Sequence, residues 1–374
     1  MNTSVGEERQ GDSGRLRFVY LKAITAPVLT FKRTNLSPAE LSTASRWSHL
    51  IKNWKFQHST LHHKTMTRPH KLNDFPPIFT REEALQHGFT ASQLKRKGLK
   101  LTTRGVYQHK NVTPSYTERA IAITRSMPHA VVSSLTAAKI QGMRIPSGWD
   151  AHQTLYFHTT AHQQIRRPGI VHLRSAIDTS EYRHINGYNI TTVQRTFLDL
   201  GLLLSPRELV CVADGLFAYH RTKFLPQGPL IQKEELLNYL SVKKFHRGKK
   251  KCLEALKHAV VGSDSHQETE LRLVLASHGI TGLAANPVIR DEQGNYICEP
   301  DLADVERKIS IQYEGAHHGD IRQVQRDEAR RVRTEKFGWK EVRVFASDLY
   351  ALVHFQGQVI PRAVEKVLRA VDEE

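Results

Sequence analysis

Cysteine is scarce in this chain, and long apolar runs are missing. Its three cysteines, Cys211, Cys252 and Cys298, stand far apart and form neither a C-x-x-C pair nor a spacing typical of zinc sites. We therefore expect reduced thiols in a cytoplasmic protein. No stretch approaches ~18 uninterrupted apolar residues, so a membrane-spanning helix is not expected. The apolar part of the N-terminal segment is interrupted, which argues against a signal peptide.

Acidic residues are also under-represented. Only 37 Asp and Glu stand against 54 Lys and Arg, so the formal net charge is +17. A field of that sign favours polyanionic partners, and nucleic acid is the usual one. The alternative is a charge that serves solubility alone. The apolar fraction of 39% is ordinary for a globular protein, and 374 residues suffice for two or three domains.

The pattern along the chain predicts a multidomain fold of the α/β (α+β) class. Residues 1–65 are poorly patterned and read as a flexible basic tail or as an upstream extension of the reading frame. Residues 66–112 predict a small helical and β unit, and residues 113–250 predict a mixed α+β middle domain. This middle domain ends in a basic linker, expected to be solvated, at residues 241–251. Residues 251–374 form the last predicted domain.

The segment "FTREEALQHGFTASQLKRKGLKLTTRGVYQHK" predicts a winged helix-turn-helix. A capping box, Thr80-x-x-Glu83, opens the first helix, and a second helix is predicted over Ala91–Lys97. Two strands then turn at Thr103-Arg104-Gly105 to form the wing. The predicted DNA contacts on the second helix and the wing are Ser92, Gln93, Lys95, Arg96, Lys100 and Arg104. A helical pair that binds protein is the alternative.

Acidic side chains collect near a predicted strand in "PDLADVERKISIQYEGAHHG", residues 300–319. Apolar and polar residues alternate from Lys308, which is the period of a strand with Gln312 and Glu314 on its polar face. A turn near Val305–Arg307 would bring Asp301 opposite Gln312. A shift of one residue would instead bring it opposite Ile311.

Glu268 adds a carboxylate from the start of a predicted helix. It lies three and seven residues before Leu271 and Leu275, so it falls on the stripe that faces the core. The alternative is an exposed acid that complements the helix dipole. Carboxylates held close together resist joint ionisation unless a cation lies between them. Oxygen ligands from Glu268, Asp301, Gln312 and Glu314 suit Mg²⁺ or Mn²⁺, so we predict a metal site there.

Basic and imidazole side chains follow the acidic strand. His317 or His318 is a candidate general acid/base or phosphate contact, although the chain holds 21 histidines and the pair alone is weak evidence. In the helix that follows, four arginines share one stripe and are predicted to contact the DNA backbone: Arg322, Arg326, Arg330 and Arg333. Val332 is predicted to lie opposite them, against the sheet. A solvated basic face is the alternative.

Residues 263–346 resemble the very-short-patch-repair-like endonuclease domains of the PD-(D/E)XK superfamily. The matching positions are Ser265, Glu268, Pro300-Asp301, Gly315, His317-His318, Asp327, Arg330 or Arg331, and Gly338-Trp339. The resemblance implies a restriction-endonuclease-like αβββαβ fold, Mg²⁺ or Mn²⁺ as cofactor and cleavage of DNA. Where the family places Glu and then Asp, this chain has Gln312 and Glu314, so its site lacks one charge.

Residues 74–215 resemble the AbiEi-type antitoxins. The resemblance rests on "RGVY" in the wing, "SSLTAAKIQGM" and "TTVQRTFLDL". It implies a DNA-binding transcriptional repressor of a type IV toxin–antitoxin system, with a cognate nucleotidyltransferase toxin as partner. Two functions are thus expected: a metal-dependent DNA endonuclease, or a non-catalytic DNA-binding antitoxin with a degenerate nuclease domain. An RNA-directed version of either is a third. Neither a membrane nor a small-molecule cofactor is expected.

Overall fold

A computed structural model describes residues 75–95, 98–161, 164–219, 228–244, 246–315 and 330–372. All of them belong to one compact unit, Phe56–Glu374. Helices and small sheets alternate throughout, so the prediction of a mixed α/β fold is confirmed. Within the described ranges, none of the helices combines the length and hydropathy that crossing a bilayer requires.

The first part is a three-stranded antiparallel sheet with one short helix. Its elements are β1 (Ile78–Thr80), α1 (Arg81–Gln86), β2 (Leu99–Thr103) and β3 (Val106–His109), with the strand order β1-β3-β2. The capping box at Thr80 is present, because Glu83 and Thr80 exchange hydrogen bonds of 2.7 and 3.1 Å. The strand pair of the predicted wing is also confirmed.

The predicted second helix of this part is mostly absent. Where a helix was expected over Ala91–Lys97, residues 91–92 form a turn and Gln93–Lys95 a short 3₁₀ segment. Thr90 and Gln93 form a capping box, since Gln93 Oε1 accepts a 2.7 Å hydrogen bond from the Thr90 N–H and the Thr90 hydroxyl accepts one of 3.3 Å from the Gln93 N–H, but only one 3₁₀ turn follows in the described residues. Residues 96 and 97 lie outside the described ranges.

The middle part is built on a five-stranded mixed sheet. Its strands, in the order β6-β5-β4-β8-β7, are β4 (Ala130–Val132), β5 (Leu155–Thr159), β6 (Ile170–His172), β7 (Tyr182–Ile185) and β8 (Tyr188–Thr191). The helices are α2 (Tyr116–Ser126), α3 (Ser134–Ile140), α4 (Val193–Leu200), α5 (Pro206–Phe217), α6 (Lys233–Val242) and α7 (Lys249–His258).

The basic segment 241–251 is not the solvated linker that its charges predicted. Its last residues begin α7, and Cys252 and Leu256 of that helix are buried in the core of the middle part. Lys243 forms ion pairs with Asp178 at 3.1 Å and with Glu181 at 2.7 Å. The lysines flank an apolar stripe of α7. A count of charges does not predict such a stripe, because it ignores the spacing of the apolar residues.

The last part is a four-stranded sheet between helices. The strands, in the order β14-β13-β12-β9, are β9 (Ala284–Ala285), β12 (Leu302–Asp304), β13 (Ile309–Glu314) and β14 (Lys340–Phe345). Two hairpins flank it: β10 (Ile289–Arg290) with β11 (Tyr296–Cys298), and β15 (Leu352–Phe355) with β16 (Gln358–Pro361). The helices are α8 (His266–Ser277), residues 330–336 (α9) and α10 (Arg362–Asp372).

One face of this sheet packs against helices. Leu271 and Leu275 of α8 and Val364 of α10 join Ile309 and Ile311 of β13 in one core. Because side chains alternate along a strand, Ser310, Gln312 and Glu314 point to the opposite face. The acids of the predicted site therefore lie where β12 begins and β13 ends.

Candidate metal centre

The register of β12 and β13 decides which residue faces Asp301. Leu302 pairs with Ile311, and Asp304 pairs with Ile309. Continued by one residue, this register brings Asp301 opposite Gln312, as the first of the two predicted registers requires. The backbone N–H of Tyr313 donates a 2.6 Å hydrogen bond to Asp301 Oδ2, which fixes the orientation of the carboxylate.

Glu268 reaches the same end of the sheet from α8. Its helix begins at the cap Ser265, whose hydroxyl accepts a 3.1 Å hydrogen bond from the Glu268 backbone N–H. Glu268 is only 7% exposed, so the alternative of an exposed acid beside the helix dipole is wrong. Its Oε2 atom accepts hydrogen bonds from the backbone N–H of Asp264 at 2.8 Å and from Asn286 Nδ2 at 2.6 Å.

Asn286 connects the helix carboxylate to the strand carboxylate. Its side chain donates to Glu268, and its backbone N–H donates a 3.0 Å hydrogen bond to the carbonyl oxygen of Asp301. Its φ of +46° is left-handed, a conformation that asparagine tolerates better than most residues. Sequence reasoning missed this residue. The Asn-Pro pair at 286–287 signals a turn, but not a contact with a side chain 18 positions earlier.

Burial and neighbouring charges together set the pKa of Asp301. Burial is the main cause that raises the pKa of Asp301, and the carboxylates of Glu268 and Glu314 raise it further. The hydrogen bond from Tyr313 and the charge of Arg330 act in the opposite direction, and the resulting pKa is about 7. A carboxylate in this state gains from a divalent cation, which replaces the missing solvation and offsets the repulsion.

Gln312 lies in the position of the missing acid. Its side chain is buried, with 6% exposed, and it pairs with Arg343 in the parallel register of β13 and β14. Ser310, two residues earlier on the same face, is 1% exposed, and its hydroxyl has no hydrogen-bond partner among the described residues. An amide can offer a metal only a neutral carbonyl oxygen, so the site holds three carboxylates rather than four.

The arginines after the site have partners within the protein. Arg330 Nε lies 3.5 Å from Glu341 Oε2, and Arg343 Nε lies 2.8 Å from Glu341 Oε1. Arg333 is exposed, donates a 2.7 Å hydrogen bond to the carbonyl of Ile297, and lies over the Tyr296 ring. The charge of Arg330 is therefore directed at the acidic site rather than only at solvent.

Several predicted residues fall elsewhere. Val332 is 54% exposed, so the prediction that it packs on the sheet is wrong. Thr334, one turn after Arg330, is fully buried instead, because α9 is rotated relative to the predicted face. Five predicted contacts lie outside the described residues: Arg96, His317, His318, Arg322 and Arg326. Of the predicted DNA contacts in the first part, four are exposed: Ser92, Lys95, Lys100 and Arg104. The Gln93 side chain instead accepts a hydrogen bond from the Thr90 backbone N–H.

A residue of the middle part contacts the loop that precedes α8. Arg144 Nη1 donates a 3.1 Å hydrogen bond to the carbonyl of Ser263, and the other side of that peptide, the Asp264 N–H, binds Glu268. A Cβ atom at Gly215 of α5 would lie 2.6 Å from the Arg144 Cβ, so only glycine lets the arginine pass. One peptide group thus links a guanidinium of the middle part to the Glu268 carboxylate.

A second buried cluster of charges lies in the middle part and was not predicted. Asp199 Oδ2 lies 2.8 Å from His158 Nε2, and Asp199 Oδ1 lies 3.0 Å from Arg195 Nε. Arg195 Nη1 also binds Glu181 at 2.6 Å. Burial opposes the charge of Asp199, but hydrogen bonds from His158 and His246 and the nearby Arg195 outweigh it and lower its pKa to about 2. We call it the matched cluster, because its buried acids, Glu181 and Asp199, are paired with basic side chains of the protein.

Comparison with models of known protein families finds no match, and comparison with curated proteins finds none either. The interpretation of the site therefore rests on its geometry and on the motifs in the chain.

Proposed function

We propose that this chain is a DNA-binding protein whose last part is a metal-dependent endonuclease-like domain that hydrolyses DNA phosphodiester bonds. The observation that carries the proposal is the half-buried Asp301 carboxylate, whose pKa of about 7 reflects desolvation and the charges of Glu268 and Glu314. Together with burial, the charges of these two carboxylates leave Asp301 close to half-protonated at neutral pH, a state that a hard divalent cation would relieve. A purely structural cluster would be expected to include cations in equal number.

Each ligand is held by a separate part of the fold. Asn286 and the Asp264 N–H orient Glu268, and the Tyr313 N–H orients Asp301. When bound, Mg²⁺ or Mn²⁺ would supply positive charge to a phosphate oxygen and acidify a water molecule. Gln312 would add a carbonyl oxygen. The predicted role of His317 or His318 as general acid or base stays a prediction, since neither residue lies in the described ranges.

Basic groups would bring DNA to this site. In the first part, Lys95, Lys100 and Arg104 are exposed around the β2–β3 hairpin, as the wing of a winged helix-turn-helix would require. The net charge of +17 would support the long-range attraction. The 3₁₀ segment Gln93–Lys95 is short for a recognition helix, so backbone contacts by the wing would dominate over reading of base edges.

Gln312 favours a second candidate function. With a neutral amide in place of the acid, metal affinity falls, and a domain that binds DNA without cutting it becomes the alternative. In that case the chain acts as an AbiEi-type antitoxin that represses its promoter and is paired with a nucleotidyltransferase toxin. The two functions share the DNA contacts and differ only in hydrolysis.

Nicking of supercoiled plasmid by the full chain, with Mg²⁺ or Mn²⁺, tests the proposal. We expect relaxed plasmid from the wild type, and a loss of at least about a hundredfold in Asp301→Asn and Glu268→Gln, since each removes an anionic ligand. Asp304→Asn is the matched control. It lies on the same strand, pairs with Arg307 at 2.9 Å outside the site, and should cut at the wild-type rate.

Two results separate the candidates. Equal traces of cleavage in the wild type and all three variants would indicate a contaminating nuclease and would exclude the endonuclease function. Salt-sensitive duplex binding that is equal in all four proteins, with no metal-dependent cleavage, would establish the non-catalytic candidate.

A further inference from the structure

Three metal-binding side chains meet where the middle part touches α8. Cys211 of α5 and His266 and Glu270 of α8 place their ligand atoms within 4.8 Å of one another. The Cys211 Sγ lies 3.5 Å from Glu270 Oε1, and His266 Nε2 lies 3.9 Å from the same oxygen. His266 and Glu270 are one helical turn apart, so both project from one side of α8.

These separations are close to those of a tetrahedral zinc site. Zn–S bonds of about 2.3 Å and Zn–O bonds of about 2.0 Å imply a distance of about 3.5 Å between sulfur and oxygen. The corresponding distance between nitrogen and oxygen is about 3.3 Å, so the 3.9 Å separation of His266 and Glu270 would need to shorten by roughly half an ångström. The distance between sulfur and nitrogen would be about 3.6 Å, against an observed separation within 4.8 Å, so the imidazole would need to move by up to about 1 Å. Thiolate, imidazole and carboxylate together favour zinc over Mg²⁺, which prefers oxygen alone.

The surroundings orient the candidate ligands. Arg207 Nε donates a 2.7 Å hydrogen bond to Glu270 Oε2, which leaves Oε1 directed at Cys211 and His266. A hydrogen bond to the non-ligating oxygen is the usual support of a metal-bound carboxylate. The side chains of His266 and Glu270 are 26% and 22% exposed, which leaves a path for an ion.

We propose that Cys211, His266 and Glu270 form a zinc site, with water in the fourth position, that fastens α5 of the middle part to α8. On binding, the Cys211 thiol gives up its hydrogen bond to Glu270, its proton leaves to solvent, and the thiolate bonds to the metal. The site shares α8 with Glu268 but no ligand with the proposed Mg²⁺ site. It therefore goes beyond the proposed function.

Titration of the full-length protein with Co²⁺ tests this site, because cobalt bound to a thiolate has a charge-transfer absorption that oxygen ligands do not give. We expect one equivalent of Co²⁺ to produce this band in the wild type and Zn²⁺ to displace it. Cys211→Ser should lose the band, and Glu270→Gln, which keeps the thiol and nearly the same shape, should bind at least about tenfold more weakly. Cys298→Ser is the matched control, a buried cysteine elsewhere in the last part, and should keep the band.

Asp301→Asn should also keep the band, so this test succeeds or fails independently of the nuclease proposal. In the Asp301→Asn background, which removes a ligand of the acidic site, Zn²⁺ should raise the melting temperature, and adding Cys211→Ser but not Cys298→Ser should abolish that rise. The proposal is overturned if the wild type shows no thiolate band, or if the band survives in Cys211→Ser. A band that disappears in Cys298→Ser would overturn it as well.

Discussion

Asp199 is fully buried and Asp301 is half-buried, but the pKa of Asp199 lies at about 2 and that of Asp301 at about 7. Burial acts in the same direction on both, since it disfavours the charged form. The difference comes from the neighbours. Asp199 lies against Arg195 and two imidazoles, whereas Asp301 lies beside two further carboxylates.

The comparison separates a cluster in which each buried acid has a basic partner from one in which acids are in excess. In the middle part, Arg195 binds both Glu181 and Asp199, and all three side chains are at most 2% exposed. Every acid there has a cation from the protein. At the end of β12 and β13 the protein supplies acids in excess, with Arg330 as the opposing charge that bears on Asp301. Excess acid is costly unless an ion from solution completes the site.

The largest expected effect is at the matched cluster. Arg195→Met would leave Glu181 and Asp199 buried without their shared cation, and removing one partner of a buried ion pair destabilises strongly. We expect the free energy of unfolding to fall by about 3–5 kcal/mol. Urea denaturation at pH 7 measures the change.

Arg369→Met is the control for this experiment. Its partner Glu365 lies one turn away at 2.7 Å on the exposed face of α10, so its loss should cost less than about 1 kcal/mol. An equally small loss for Arg195→Met would show that the buried cluster is not structural, and the contrast with Asp301 would be lost.

The stability of the protein should depend on pH through Asp301, whose neighbouring acids outnumber the basic groups that act on it. The folded-state pKa of Asp301, about 7, lies above its ordinary value of 3.8. The stabilising contribution of the protonated carboxyl is therefore fully present below about pH 4 and is lost as the pH rises through 7. Relative to Asp301→Asn, the wild-type free energy of unfolding should fall by on the order of 2–3 kcal/mol between pH 5 and 8.

Mn²⁺ should offset this fall in the wild type and leave Asp301→Asn nearly unchanged, because the ion stabilises the ionised form. Denaturation at several pH values, with and without Mn²⁺, provides both comparisons. A difference between the two proteins that does not vary with pH would show that Asp301 titrates normally.

Local pattern was enough to predict the main part of the site. The period-2 alternation after Lys308 predicted which side chains share a face with Gln312, and of the two registers that the turn left open, the structure has the one that pairs Gln312 with Asp301. The helical spacing from Glu268 to Leu271 and Leu275 predicted that the acid is buried. These inferences succeeded because each depends on residues close together in sequence.

Contacts between distant segments could not be predicted in this way. Cys211 and His266 lie on different helices, so their approach depends on how α5 packs on α8 and obeys no spacing rule. The ties from Arg144 and Asn286 to the Glu268 region depend likewise on tertiary packing. The helix predicted over 91–97 is a different case: the local Thr90–Gln93 capping box is present, but only the 3₁₀ segment Gln93–Lys95 follows it in the described residues.

The smallest expected effect concerns Gln312, where one substitution should increase the excess of acid at Asp301 and so enlarge the contrast with the charge-balanced cluster around Asp199. Gln312→Glu adds a fourth carboxylate at a buried position opposite Asp301, so repulsion should lower the stability of the metal-free protein. The same charge adds an anionic ligand, and we expect Mn²⁺ to bind about tenfold more tightly, which is about 1.4 kcal/mol. Gln358→Glu, on an exposed strand of the same part, should change neither quantity. Isothermal titration with Mn²⁺ decides the point: unchanged affinity in Gln312→Glu would mean that Gln312 does not face the ion, and that the register alone does not build the site.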